Sequence, residues 1–143
     1  MWSVPDLRSF LSGAWHVDRR LFDRSRSIAG ELKGEAHFTP SGRCLIYGEN
    51  GTFIFGAHRG AAEQRLSYEL PWGNAQASVK FRDGRPFHVL DLSDGQAVVT
   101  HSCGRDHYEG CFAAIGPGQW KSAWNVSGPR KDQEIATLYT RIC

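Results

Sequence analysis

Residues 87–108 have the sequence FHVLDLSDGQAVVTHSCGRDHY, in which a Ser93-Asp94-Gly95 turn joins two strand-like runs. Side chains alternate between the two faces of a strand, so His88 shares a face with Leu90 and Leu92. The corresponding face of the second run begins apolar and ends polar: Ala97, Val99, His101 and Cys103, then Asp106 and Tyr108 after a Gly104-Arg105 turn. Such a stripe predicts a core that becomes polar at one place, as in a small barrel with a ligand cavity.

The same two-residue period extends over most of the chain. It is clearest in residues 28–38, where apolar residues and glycine alternate with charged ones. A short helix is predicted over residues 5–11, because Leu7, Phe10 and Leu11 have helical spacing. Asn50-Gly51 is the strongest hairpin signal and predicts a turn there, between separate strands at 44–48 and 52–57.

About ten short strands follow one another with turn signals between them, which is typical of an antiparallel sandwich or barrel. Closing the sheet into a barrel removes its exposed edges. We therefore predict an all-β protein: a single antiparallel up-and-down barrel of about 8 to 10 strands with a short N-terminal helix. Residues 1–143 are expected to form one domain.

The composition excludes several functional classes. The chain has 143 residues, 41% of them hydrophobic, and its 17 basic and 15 acidic residues are scattered, so no nucleic-acid partner is expected. No apolar run approaches the length of a membrane span, and the first residues do not resemble a signal peptide, so a cytoplasmic protein without a membrane partner is expected. Four cysteines without a C-x-x-C pair indicate reduced thiols.

Two features at the ends of the predicted barrel carry a resemblance to a known superfamily. Gly13-Ala14-Trp15 follows the helix, and Arg141 lies near the end of the last strand. This arrangement resembles the lipocalins and fatty-acid-binding proteins, the calycins. The resemblance implies that Arg141 packs over Trp15 and closes the barrel base, a contact that combines stacking with cation–π attraction. Fatty-acid carriers bind a carboxylate with Arg-x-Tyr, whereas the order here is Tyr139-x-Arg141, so Tyr139 stays open as a ligand contact.

A second resemblance covers nearly the whole chain. Residues 81–88 (FRDGRPFH), 101–108 (HSCGRDHY) and 120–131 (WKSAWNVSGPRK) resemble the motifs of an uncharacterised family of bacterial and fungal proteins of about this length. Gln133 departs from the pattern, where an aromatic residue is expected. The resemblance implies no activity, but it suggests that the polar residues of these motifs belong to one shared site.

His88, His101, Asp106 and Tyr108 are the leading polar candidates. A buried polar group costs a few kcal/mol unless it finds a partner, so these groups either satisfy one another in a closed polar core or are held ready for a ligand. The full set of candidate ligand-binding residues is His88, His101, Cys103, Tyr108, Trp120, Trp124, Arg130, Lys131 and Tyr139.

The leading hypothesis is a monomeric or homodimeric barrel that binds a small hydrophobic or amphipathic molecule with one polar end. Trp120, Trp124, Leu90 and Val99 would form the apolar wall, with His88, His101 and Tyr108 orienting the polar group. One alternative is an enzyme in which His88 or His101 is the general acid/base and Asp106 or Tyr108 its partner. Another is a non-catalytic interaction domain with a closed polar core and a large exposed apolar patch.

No cofactor is expected, although three further chemistries stay open. A metal site would use His88, His101, Cys103 and Asp106, which are all legitimate ligand types. Haem could be held by a single histidine in a small barrel. Cys103 could act as a nucleophile with His101 or His88 as its base, provided that a third group orients the pair.

Overall fold

The computed structural model describes residues 1–143. It contains one helix and ten strands: α1 (Leu7–Leu11), β1 (Gly13–Asp23), β2 (Ile28–Ser41), β3 (Cys44–Phe55), β4 (His58–Glu69), β5 (Gln76–Phe81), β6 (Pro86–Asp91), β7 (Gln96–Cys103), β8 (Asp106–Gly116), β9 (Gln119–Ser127) and β10 (Asp132–Arg141). Short turns connect the strands.

All ten strands form one antiparallel sheet with the order β6-β5-β4-β3-β2-β1-β10-β9-β8-β7. Strands that follow one another in sequence are paired, with the exception of β6 and β7, and β1 also pairs with β10, which brings the first and last strands together. The two unpaired edges, β6 and β7, form a seam where the sheet curls round on itself. The predicted all-β up-and-down barrel with a short N-terminal helix is therefore confirmed.

The predicted hairpin at Asn50-Gly51 is wrong, because β3 continues unbroken through both residues. The turn lies instead at Gly56, whose φ is +59°. Gly51 pairs with Gly34 of β2, and a Cβ atom on Gly34 would lie 2.0 Å from the backbone oxygen of Asn50. Gly51 thus lies where two strands approach each other closely. Close approach, like a tight turn, is a reason for glycine within a sheet.

The base of the barrel is covered by α1 and the residues before it. Asp6 caps the helix by accepting a hydrogen bond from the Ser9 backbone N–H at 3.3 Å. The backbone N–H of Trp2 donates to Ala114 and that of Val4 to Leu92, both at 3.0 Å, so this segment ties together the two sides of the seam. No helix in the chain has the length and apolar character needed to cross a bilayer.

Arg141 joins the last strand to the first at the same end. Its guanidinium carbon lies 4.2 Å from the centre of the Trp15 ring, and the group donates to the carbonyls of Ser12, at 3.0 Å, and Phe10. The indole N–H of Trp15 in turn donates to the Leu11 carbonyl at 2.8 Å. β1, β10 and α1 therefore meet in one bonded cluster, and the base is closed.

The opposite end is open. β4 pairs with β5 only over Leu66–Glu69, so the first half of β4 is bonded to β3 alone. Fewer strands are paired at that end, which makes it the open end of the barrel.

Candidate functional site

A cavity of about 320 Å³ lies inside the barrel. Thirteen of its eighteen lining residues are hydrophobic, which makes an apolar occupant favourable. The rings that form much of its wall are Phe53, Tyr68, Phe87, Phe112, Trp120 and Trp124. Leu90 and Val99, predicted as part of the wall, are buried in the core instead and do not line the cavity.

Two stacked pairs of rings stiffen the wall. Trp120 stacks on Tyr139 with ring centres 3.8 Å apart, and Trp124 stacks on Phe87 at 5.2 Å. Trp124 lies directly against the backbone of β8 at Gly110, where a Cβ atom would come within 2.8 Å of the indole. Because Gly110 has no side chain, the Trp124 indole can lie close to β8. A larger residue at position 110 would push the indole toward the cavity.

Arg19 is the only formally charged residue in the cavity lining, and Glu49 neutralises it. The guanidinium donates to both oxygens of the Glu49 carboxylate, at 2.6 and 2.8 Å, and Glu49 is only 2% exposed. The Arg19 guanidinium also donates to the Thr137 hydroxyl at 2.9 Å and to the Tyr139 hydroxyl at 3.3 Å. A bidentate geometry of this kind, with further hydrogen bonds to the guanidinium, is the form in which a buried ion pair is tolerated.

Two tyrosine hydroxyls complete the cluster. The Tyr47 hydroxyl donates to Glu49 and lies 3.2 Å from that of Tyr139. Burial raises the pKa of Tyr47 and of Tyr139, so both hydroxyls are neutral at physiological pH. Burial opposes the charge on Arg19, but Tyr139, Glu49 and Tyr47 outweigh it and keep the pKa of the guanidinium above its usual value.

Neither Arg19 nor Glu49 was among the site residues predicted from the sequence. Arg19 lies between Val17 and Leu21 on the inward face of β1, and this interruption of an apolar stripe is the signal that could have revealed it. Glu49 follows Tyr47 on the inward face of β3, but the predicted turn ended that strand at Gly48 and concealed the position.

Two fully buried nitrogen atoms of the lining have no partner. The Nδ1 atom of His88 and the Nε1 atom of Trp120 are both buried and make no hydrogen bond. Burial lowers the pKa of His88 to about 4, so its imidazole is neutral at physiological pH. An unsatisfied buried polar group costs about 1 to 3 kcal/mol, which a bound molecule with a matching group would recover.

His101 lies nearer the open end than His88. Its ring packs edge-on against Phe81, at 5.4 Å between centres, and Phe87, at 5.2 Å, and lies 5.9 Å from Tyr108. It lines a second concavity, of about 710 Å³, together with the exposed Cys103. Phe87 and Tyr108 border both spaces, so the second one adjoins the interior cavity.

Lys131 contacts Tyr108 at the edge of this second concavity. Its ammonium lies 3.3 Å from the Tyr108 hydroxyl and 3.4 Å from an Asp106 carboxylate oxygen. The polar partner of both Asp106 and Tyr108 is thus Lys131, while the ring of His101 packs beside that of Tyr108. The neighbouring Arg130 is exposed.

The residues considered for a metal site do not converge. His88 lies in the interior, Asp106 contacts Lys131, and Cys103 is exposed on the rim. No group of three or more His, Cys, Asp and Glu residues in the structure could hold a metal ion.

A larger groove, of about 960 Å³, lies on the outer face of β1 and β7–β10. Its lining includes Val98, which is 70% exposed, and Ala136 and Leu138, beside the charged residues Asp18 and Lys121. The interaction-domain hypothesis predicted an exposed apolar surface of this kind together with a filled interior. The protein has the outer surface, but its interior holds a cavity.

Solved structures share this fold. An S-type phycobiliprotein lyase, CPES, from Guillardia theta is similar with a TM-score of 0.66 and 8% identity, over 94% of this chain and 90% of that chain. A de novo designed fluorescence-activating β-barrel is similar with a TM-score of 0.50 and 14% identity, over 99% of this chain and 100% of the design. At such identities the likeness shows the fold alone.

A comparison with curated proteins gives no match. A family model, by contrast, matches residues 11–141, a span that contains the three motifs at 81–88, 101–108 and 120–131. The resemblance that those motifs indicated is confirmed. The chain therefore belongs to DUF6314, a family of unknown function.

Proposed function

We propose that the barrel interior binds a small, mostly apolar molecule with one polar end. The observation that carries this proposal is the cavity of about 320 Å³, walled by aromatic rings and containing two buried nitrogen atoms without partners. A closed polar core would satisfy its own polar groups, whereas a binding cavity leaves some of them for the ligand.

The size of the cavity limits the ligand. Small-molecule pockets range from about 300 to 1,000 Å³, so this one accepts a compact molecule of one or two rings. Trp120, Trp124 and Phe112 supply flat apolar surfaces, and Trp120 Nε1 and His88 Nδ1 supply the polar contacts. The cavity is complete within one chain, so binding requires no second copy.

Other residues have supporting roles in this proposal. Tyr108, His101 and Lys131 border the route from the open end to the cavity, and the Arg141–Trp15 contact keeps the base shut. Of the similar barrels, one is described as a phycobiliprotein lyase and the other as fluorescence-activating. These descriptions support a small-molecule role without identifying the ligand.

The test is calorimetric titration with naphthalene of the wild-type protein and of two variants on β10, with native mass spectrometry of freshly purified protein alongside. Ile135 lines the interior cavity, so Ile135→Trp places a large ring in that cavity. Leu138 lines the outer groove, so Leu138→Trp fills the groove and leaves the interior unchanged. We expect Ile135→Trp to weaken naphthalene binding about tenfold or more and Leu138→Trp to leave it unchanged.

Two results would contradict the proposal. Absence of naphthalene binding to the wild-type protein would show that the interior does not accept an apolar ring. Loss of binding in Leu138→Trp, with retention in Ile135→Trp, would place the ligand in the outer groove.

A further inference from the structure

We propose that the ligand of the interior cavity is uncharged and that its polar end is a hydrogen-bond acceptor of the carbonyl type, bound by the indole N–H of Trp120 beside His88. This inference rests on the proposed function and specifies the chemical class of the ligand. It excludes the carboxylate ligand that a fatty-acid carrier would take.

The one cation that lines the cavity, Arg19, is already occupied by protein partners on three of its nitrogen atoms. Arg19 already donates from Nε to Thr137, from Nη1 to Glu49, and from Nη2 to Glu49 and Tyr139. Its positive charge is balanced by a carboxylate at 2.6 Å. A second carboxylate would have to displace Glu49 or lie next to it, and two like charges in a poorly solvated space are strongly disfavoured.

The other cations near the site are also engaged. Arg141 lies at the closed base, over Trp15, with its donors on the carbonyls of Phe10 and Ser12. Lys131, at the opening, has Asp106 at 3.4 Å. An anionic ligand therefore finds no unpaired cation among the residues that line the interior cavity.

The fully buried polar atoms of the lining that lack partners belong to Trp120 and His88. The indole nitrogen of Trp120 is a donor only, and the side chain is 1% exposed and stacked on Tyr139, so its N–H has a fixed direction. Trp120 and His88 flank the same ring, with centres 6.3 and 5.3 Å from that of Phe112. A neutral imidazole adds one donor or acceptor at Nδ1, according to its tautomer. These contacts match a carbonyl group on an aromatic or conjugated framework.

The experiment compares three probes of similar shape by isothermal titration calorimetry: naphthalene, 2-acetylnaphthalene and 2-naphthoate. In the wild-type protein we expect the ketone to bind about fivefold tighter than naphthalene, as one buried hydrogen bond provides. We expect 2-naphthoate to bind at least about tenfold more weakly than the ketone, because its charge must be desolvated without a free cation.

Two Trp→Phe variants locate the hydrogen bond. Trp120→Phe keeps an aromatic ring but removes the unpartnered N–H, so the preference for the ketone over naphthalene should disappear. Trp124→Phe, the matched control in the same wall, should weaken both probes alike and preserve their ratio. The wild-type comparison of ketone and carboxylate stands even if Trp120→Phe fails to fold.

The possible failures are distinguishable. If naphthoate binds as tightly as the ketone, the ligand class is wrong while the proposed function holds. If the ketone has no advantage over naphthalene, or keeps it in Trp120→Phe, the assigned hydrogen bond is wrong. If none of the three probes binds, the proposed function itself fails and this inference fails with it.

Discussion

Arg19 and Glu49 make the interior of this barrel polar without giving it a net charge. Each would be costly to bury alone, and their two hydrogen bonds, at 2.6 and 2.8 Å, offset the lost hydration. The Tyr47 hydroxyl donates to Glu49, and the Tyr139 hydroxyl accepts from Arg19. The result is a rigid polar cluster without net charge beside the aromatic wall. In our proposal, recognition of the ligand's polar end depends on Trp120 and His88.

His88 makes the stability of the protein depend on pH. Its pKa is about 4 in the folded chain, against 6.5 when exposed, so the unfolded chain binds more protons between these values. Stability is therefore complete above about pH 6.5 and falls as the pH drops, by on the order of 3 kcal/mol at pH 4. We expect His88→Phe to lose this contribution, as measured by urea unfolding of variant and wild type across that range.

The matched control is His16→Phe, which changes an exposed histidine on the outer face of β1. It should retain the wild-type dependence on pH. If His88→Phe and wild type lose stability in parallel between pH 6.5 and 4, His88 is not the group responsible.

At the scale of elements, the contact of β2 with β3 depends on glycine at one point. Gly34 and Gly51 face each other, and a Cβ atom on Gly34 would overlap the Asn50 backbone oxygen at 2.0 Å. Backbone cannot move aside as a flexible side chain can, so we expect Gly34→Ala to destabilise the protein by about 3 kcal/mol in urea unfolding.

Gly48 of β3 provides the control, because a Cβ atom there meets nothing within 4 Å. Gly48→Ala should therefore change stability by no more than about 0.5 kcal/mol. Equal stability losses in the two variants would mean that general strand propensity, and not the close approach, determines the effect.

At the scale of the whole molecule, closure of the barrel base depends on Arg141. The guanidinium stacks on Trp15 and donates to two carbonyls near the end of α1, which a lysine cannot reproduce with its single ammonium group. We expect Arg141→Lys to lower the free energy of unfolding by about 2 kcal/mol and to speed amide hydrogen exchange at the paired ends of β1 and β10.

Arg130→Lys, at an exposed turn residue, serves as the control. Its urea concentration at the midpoint of unfolding should equal that of the wild type. Identical unfolding of Arg141→Lys and Arg130→Lys would show that the base is held by apolar packing alone.

The barrel could be predicted from the chain alone, since side chains that alternate between core and solvent produce a period of two wherever a strand lies. The same local period predicted that His88, Trp120 and Trp124 face the interior, and all three line the cavity. The error at Asn50-Gly51 has a physical origin, because the same dipeptide suits a tight turn and a close strand crossing. Local sequence does not distinguish the two.

The polar contacts of the interior, by contrast, arise from contacts between distant strands. Arg19 and Glu49 lie on β1 and β3, thirty positions apart with β2 between them, and meet because of the strand pairing and the curvature of the sheet. Lys131 reaches Asp106 and Tyr108 in the same way, across β8 and β9. Contacts of this kind depend on the register of paired strands, which is a property of the whole sheet and leaves no local signal in the chain.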